Sequence, residues 1–255
     1  MPQSTPLGLG ALLLALGHSH PTSPHQAWVS DVRDLALTKE LVCGPATGSW
    51  ATIPDGNRVA VWHSLPYGEP PVGEKRWRAP QAAACWEGDF DARSWKQGGY
   101  CVQSHLPVSG TEDCLYLHVH VPEGVANGSA AEKVPVLVYI HGGGLMDGGG
   151  QFEHVDPFVS HAGPDGVIVV TINYRLNIFG WLVVEELSQE NGGTSGNYGL
   201  LDQQLALRWV KANAAAFGGD PARVTVAGQS SGGTSIFALL GSPASVGLFE
   251  AAIAL

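Results

Sequence analysis

Ser230 stands between two glycines in Gly228-Gln-Ser-Ser-Gly232. The β-rich run Val224-Thr-Val-Ala227 leads in, and the helix-compatible run Ser235-Ile-Phe-Ala-Leu-Leu240 leads out. A strand that turns sharply into a helix at Gly-x-Ser-x-Gly holds the serine oxygen outward as a nucleophile, and glycine is needed where side chains would collide. A second glycine cluster, His141-Gly-Gly-Gly144, follows the branched apolar run Val134-Pro-Val-Leu-Val-Tyr-Ile140. Backbone amides in such a loop can meet negative charge that develops on a carbonyl oxygen, each donor being worth about 3 kcal/mol. Gly143, Gly144 and the amide of Ser231 are the expected donors. A phosphate-cradling loop is the competing reading, but no G-x-x-x-x-G-K-[ST] is present. Asp147 also occupies the last glycine position of a G-x-G-x-x-G pattern begun at Gly142.

These stretches do not stand alone. Leu65-Pro-Tyr-Gly-Glu-Pro-Pro-Val-Gly73, Arg76-Trp-Arg-Ala-Pro80 and Glu112-Asp-Cys-Leu-Tyr-Leu117 precede the glycine cluster, and Asn173-Tyr-Arg-Leu176 and Gly196-Asn-Tyr-Gly-Leu-Leu-Asp202 follow it. Phe217-Gly-Gly-Asp-Pro-Ala-Arg223 then leads into the elbow strand. In this order the motifs resemble those of the type-B carboxylesterases, the group that contains cholinesterases, liver-type carboxylesterases and the non-catalytic neuroligins. The resemblance runs over roughly residues 40 to 255. It implies an α/β-hydrolase fold, a mixed and mostly parallel sheet with helices on both faces, and a serine carboxylic ester hydrolase with Ser230 as nucleophile.

The family's acid and histidine follow the serine in chain order. Here all ten histidines, His18 to His161, precede Ser230, and the only acid after it is Glu250, which lies too near the elbow helix. The resemblance therefore implies the N-terminal half of the domain, truncated after the elbow, with little or no esterase activity of its own. Serine without a base stays protonated and is a poor nucleophile. His118, His120, His141, His154 and His161 are the upstream candidates for a substitute base, and none fits the role. His118-x-His120 reads as one face of a strand without a ligand cluster, so neither metal nor cofactor is expected. Two other readings stand beside the esterase: a catalytically inactive binding or adhesion relative, and a non-functional truncated product with an open sheet edge. The retained serine weighs against the adhesion relative.

The resemblance also pairs Cys101 with Cys114, which leaves Cys43 and Cys85 for a second bridge. No Trp, Tyr or Phe lies between Cys101 and Cys114, so the aromatic that holds a cationic choline head in cholinesterases has no counterpart there. A small-molecule carboxylic ester other than a choline ester is the expected substrate. Arg76 with Glu112 and Arg175 with Asp202 correspond to structural ion pairs of the family. Gln229, His118 and Leu145 depart from its pattern, at positions where a glutamate, a small polar residue and an aromatic are usual.

Composition bounds the rest. An apolar fraction of 44% over 255 residues suits one large domain. A net charge of −10, with 13 scattered basic residues, excludes a nucleic-acid-binding stripe. The apolar run Leu7–Leu16 is too short to span a membrane and reads as a signal peptide over residues 1–17. A flexible lead-in over 18–35 precedes the domain at 36–255. Four cysteines and the sequon Asn127-Gly-Ser129 favour a secreted glycoprotein. Near-helical apolar spacing predicts a helix from Tyr198 to Ala215 that Gly218-Gly219 ends, and a buried strand is predicted over Gly166–Ile172.

Overall fold

The computed structural model describes residues 37–96, 99–103, 107–162 and 166–255. The signal peptide and lead-in expected over 1–35 lie outside the described residues. The described strands are β1 (Leu37–Leu41), β2 (Gly44–Thr52), β3 (Arg58–Pro66), β4 (Phe90–Asp91), β5 (Tyr116–Pro122), β6 (Val134–Ile140), β7 (Ile168–Ile172), β8 (Gly219–Gly228) and β9 (Ala251–Ala254). The helices are α1 (Glu123–Ala126), α2 (Asp156–Ser160), α3 (Asn177–Trp181), α4 (Glu185–Glu190), α5 (Tyr198–Asn213) and α6 (Ser231–Gly241).

All nine strands join one sheet in the order β1-β2-β3-β5-β7-β6-β8-β9, with β4 added beside β2. From β1 to β7 the neighbours run antiparallel. From β7 through β6 and β8 to β9 they run parallel, so the parallel character is concentrated where the glycine-rich turns emerge. Brief β2–β4 pairing is also parallel. In such a parallel segment the carboxyl ends of the strands share one edge, and loops leaving that edge build the site.

Both faces of the sheet are covered, which explains the unbroken apolar runs of β6 and β7. Val169 packs with Ala51, Val59, Val61 and Val159 of α2 on one face. Its neighbour Val170 points to the other face, into a cluster with Leu207 and Val210 of α5 and Ile236 and Leu239 of α6. The mixed sheet with helices on both faces and the α/β-hydrolase class are thus present. α5 stops at Asn213, two residues before the predicted end. A single 3-10 turn, Ala214–Phe217, carries the chain on to Gly218 in the left-handed conformation at φ 88°.

Both disulfides join the cysteines as expected, Cys43 to Cys85 and Cys101 to Cys114. The ion pairs do likewise. Arg76 grips Glu112 with two guanidinium nitrogens. Arg175 is more deeply set: its Nε and Nη2 donate to Asp202 at 2.8 and 2.7 Å, and its backbone amide adds a third bond at 3.0 Å. Asp202 has no exposed surface. Removing one partner strands the other's charge in a dry interior, so Asp202→Ala is expected to cost about 3–5 kcal/mol. Chemical denaturation checks this, and a loss below 1 kcal/mol would refute it. The pair ties the segment after β7 to α5 and thereby braces the ground under the glycine loop.

At the far edge, β9 is mostly exposed, and Ile253, Leu255, Phe237 and Leu240 present apolar surface on β9, the terminal residue and α6.

Candidate active site

β8 delivers the chain to Gln229 and Ser230, and α6 begins at Ser231. Ser230 itself adopts φ 56° and ψ −119°, a strained conformation that a non-glycine residue holds only when its surroundings dictate it. Those surroundings are two glycines with no space for a side chain. A Cβ on Gly232 would lie 2.2 Å from the carbonyl oxygen of Ile140, and one on Gly228 would lie 2.5 Å from the backbone of Gly232. Strand, turn and helix are pressed backbone to backbone, and Ser230 is pushed out at the crest. Its side chain is exposed.

The loop after β6 lies directly opposite. A Cβ on Gly142 would come within 3.1 Å of the Cβ of Ser230. Gly143 and Gly144 take φ 108° and 64°, values that suit glycine. The loop is closed by amides of Met146 and Asp147 donating to the carbonyl of Gly143 at 3.0 and 3.1 Å. The amides of Gly143, Gly144 and Ser231 donate to no protein acceptor among the described residues. Ser231 is the first residue of an 11-residue helix, whose N-terminal dipole adds to the positive potential there. An exposed serine thus lies beside the glycine loop and a helix start, with the amides of Gly143, Gly144 and Ser231 unengaged among the described residues.

The loop is held from beneath by groups whose role the linear sequence did not disclose. The Ser231 hydroxyl accepts from the amide of Leu145 at 3.2 Å, bridging elbow and loop. Tyr174, fully buried after β7, donates to the carbonyl of His141 at 2.9 Å and stacks on the His141 ring at 4.4 Å. Burial raises the Tyr174 phenol well above its ordinary range, so it stays a donor. Asn177 donates its amide to the carbonyl of Leu145 at 2.9 Å, and its side chain reaches Val102 and Met146. Tyr174 sits within a motif that carried the resemblance, but its partners are 33 residues away and no local pattern predicts them. Ser231→Ala is expected to release the Leu145 amide, making its hydrogen exchange about 5-fold faster, the equivalent of one ordinary hydrogen bond. Unchanged exchange at Leu145 would refute the bridge.

None of these five histidines is hydrogen-bonded to Ser230. His141 is buried, its Nδ1 bonded to the carbonyl of Gly142 at 2.7 Å. His118 and His120 are buried on β5, where His120 pairs with Asp156 at 2.6 Å. His161 pairs with Asp55 on the surface at 2.8 Å, and His154 is exposed. Glu250 accepts from the amide of Val224 and from Lys211, both at 2.8 Å, which fixes it beside the middle of β8. Among the described residues no group of three or more His, Cys, Asp and Glu side chains is arranged to hold a metal ion. No described helix is long and apolar enough to cross a membrane.

Comparison with known proteins now defines the class. Residues 36–255 match the carboxylesterase family, and the chain belongs to it. It is 45% identical over 205 residues to a para-nitrobenzyl esterase of Bacillus subtilis (strain 168), covering 77% of this chain and 40% of that protein. With liver carboxylesterase 1 of Oryctolagus cuniculus the identity is 34% over 262 residues, covering 97% of this chain and 42% of the relative. Among solved structures, a carboxylesterase of Geobacillus stearothermophilus superposes with a TM-score of 0.72 at 37% identity, over 85% of this chain and 43% of its own. The chain spans about two fifths of the length of these relatives.

Proposed function

We propose that this chain forms the nucleophile-bearing part of a serine carboxylic ester hydrolase that acts on small-molecule esters. The observation that carries the reading is Ser230, held in a strained elbow conformation opposite the free amides of Gly143, Gly144 and Ser231. In the proposed reaction the Ser230 oxygen attacks the ester carbonyl, and the three amides receive the resulting oxyanion. The alcohol leaves with a proton, and water then hydrolyses the acyl-enzyme. Ser230 Oγ has no histidine or carboxylate partner among the described residues, and because the family's acid and histidine follow the serine in chain order, the reading assigns them to sequence downstream of this part of the domain. By itself the chain is proposed to turn over little or no ester. The serine distinguishes this reading from a purely adhesive relative, because a binding role has no use for a strained, exposed hydroxyl opposite unengaged amides.

The substrate is placed among general carboxylic esters rather than choline esters, on the absence of Trp, Tyr and Phe between Cys101 and Cys114. Two disulfides support a secretory route. The test is covalent labelling by a fluorophosphonate, which reads the nucleophile without requiring turnover. Labelling that survives Ser230→Ala unchanged would overturn the assignment.

A further inference from the structure

The sequon Asn127-Gly-Ser129 lies outside everything the ester chemistry uses, on the surface between α1 and β6. Asn127 is the residue that ends α1, with φ −86° and ψ 0°, and Gly128 follows in the left-handed conformation at φ 78°. The amides of Asn127, Gly128, Ser129 and Ala130 all fold back onto α1 carbonyls, the last two onto Gly124 at 2.8 and 2.9 Å. The turn is therefore fixed by its own backbone. Within it the Asn127 side-chain oxygen accepts from the Ser129 amide at 3.0 Å. That bond orients the carboxamide with its oxygen inward. Its nitrogen, Nδ2, has no protein partner among the described residues.

Space around the site is open. Residues 127–133 are all exposed, and a Cβ on Gly124 or Gly128 would meet nothing within 4 Å. Beside the turn runs a cleft of about 310 Å³ whose lining includes Arg58, Glu123, Ser129 and Ser160. Arg58 and Glu123 form an ion pair at 2.6 Å along it, so the wall next to the sequon carries polar groups of the kind that sugar hydroxyls bond. The active-site serine leaves the carboxyl end of β8. Asn127 instead follows β5, which runs antiparallel to β7, and precedes β6, so it sits toward the opposite end of the sheet. A large hydrophilic group there would leave the elbow clear.

We propose that Asn127 is an N-glycosylation site and that the first sugars of its glycan lie over the neighbouring cleft. The donor is a lipid-pyrophosphate-linked oligosaccharide that begins with N-acetylglucosamine. A bond forms from Asn127 Nδ2 to the anomeric carbon of that sugar as the bond from this carbon to the pyrophosphate oxygen breaks. The lipid pyrophosphate leaves with the electron pair, and one Nδ2 proton passes to a carboxylate of the host transferase. The inference rests on the secretory part of the proposed function and is independent of the esterase part.

The full chain, residues 1–255, is expressed in a eukaryotic secretory cell in two forms. One carries its own N-terminal segment, and the other an added secretory leader. Digestion with an amidase that releases N-glycans in heavy-oxygen water, followed by peptide mass spectrometry, reads Asn127 directly. The expected result is a labelled aspartate at position 127 in both forms, and a single-glycan mobility shift that Asn127→Gln and Ser129→Ala each abolish. An unmodified Asn127 in the leader-bearing form would overturn the site itself. Modification only with the added leader would overturn the secretory premise while showing the acceptor to be competent. The peptide measurement on the unaltered chain decides both points even where a variant fails to fold.

Discussion

Ser230→Ala is expected to abolish covalent labelling of the purified chain by a fluorophosphonate. The elbow and the glycine loop are both built within these residues, so the probe's phosphoryl oxygen can be received by Gly143, Gly144 and Ser231. What the described residues do not supply is a base at Ser230 Oγ. Loss of the base alone costs a complete serine triad about 10⁶-fold in turnover, while oxyanion donors and binding retain about 10³- to 10⁴-fold over water. Labelling of the chain is therefore expected to be slow but to depend on Ser230. A polypeptide that adds a downstream acid and histidine to this chain is expected to label on the order of 10⁶-fold faster. Equal labelling of the chain and its alanine variant would remove Ser230 from the mechanism. Complete silence of the unaltered chain at saturating probe would show that the amides are not held ready.

The parts of the site that could be read from sequence are those fixed by contacts between near neighbours. Gly228, Ser230 and Gly232 announce the elbow because the crossing of strand and helix leaves no room for other residues at those spacings. Val134–Ile140 announces a strand because a sheet covered on both faces needs apolar side chains at every position. The support beneath the loop was hidden for the opposite reason. The Ser231 hydroxyl meets the Leu145 amide across 86 residues, and Tyr174 meets His141 across 33. No periodicity encodes such meetings; they exist only once β6, β7 and β8 lie side by side. The parallel segment accords with the family resemblance, which implies a mixed and mostly parallel sheet. The long antiparallel run β1-β2-β3-β5-β7 was less visible, since register and partner choice between hairpin-like strands depend on the whole sheet.

The histidines removed from consideration as a catalytic base return as determinants of stability. Acidification from pH 7 to pH 5 is expected to destabilise the chain by about 4 kcal/mol through His63 and His141, with His118 acting in the same direction. His118 is fully buried, and its Nδ1 accepts the amide of Ser64 at 2.9 Å. Burial pushes its pKa well below the ordinary value, and His63 and His120 nearby push in the same direction. Protonation would turn the acceptor into a donor facing another donor. Burial likewise lowers His141 to about 4, against a smaller opposing effect of the Gly142 carbonyl. In the unfolded chain both rings titrate near 6.5. Below that pH the unfolded state binds protons that the folded state refuses, so stability is complete above about pH 7 and falls as pH falls. For His141 the loss stops growing near pH 4. His63 and His141 each contribute about 1.4 kcal/mol per pH unit below 6.5, or about 2 kcal/mol by pH 5. His63 is lowered further, to about 3, by burial and by His120, against a smaller opposing effect of Asp156. Against a typical total of 5–15 kcal/mol, a loss of about 4 kcal/mol is severe. It should lower the guanidinium midpoint by about 1 M between pH 7 and pH 5. His118→Asn keeps an acceptor for Ser64 without a titrating ring and is expected to recover part of that shift. A midpoint that does not move with pH, or a His118→Asn variant with the full shift, would show that these rings accept protons in the folded state.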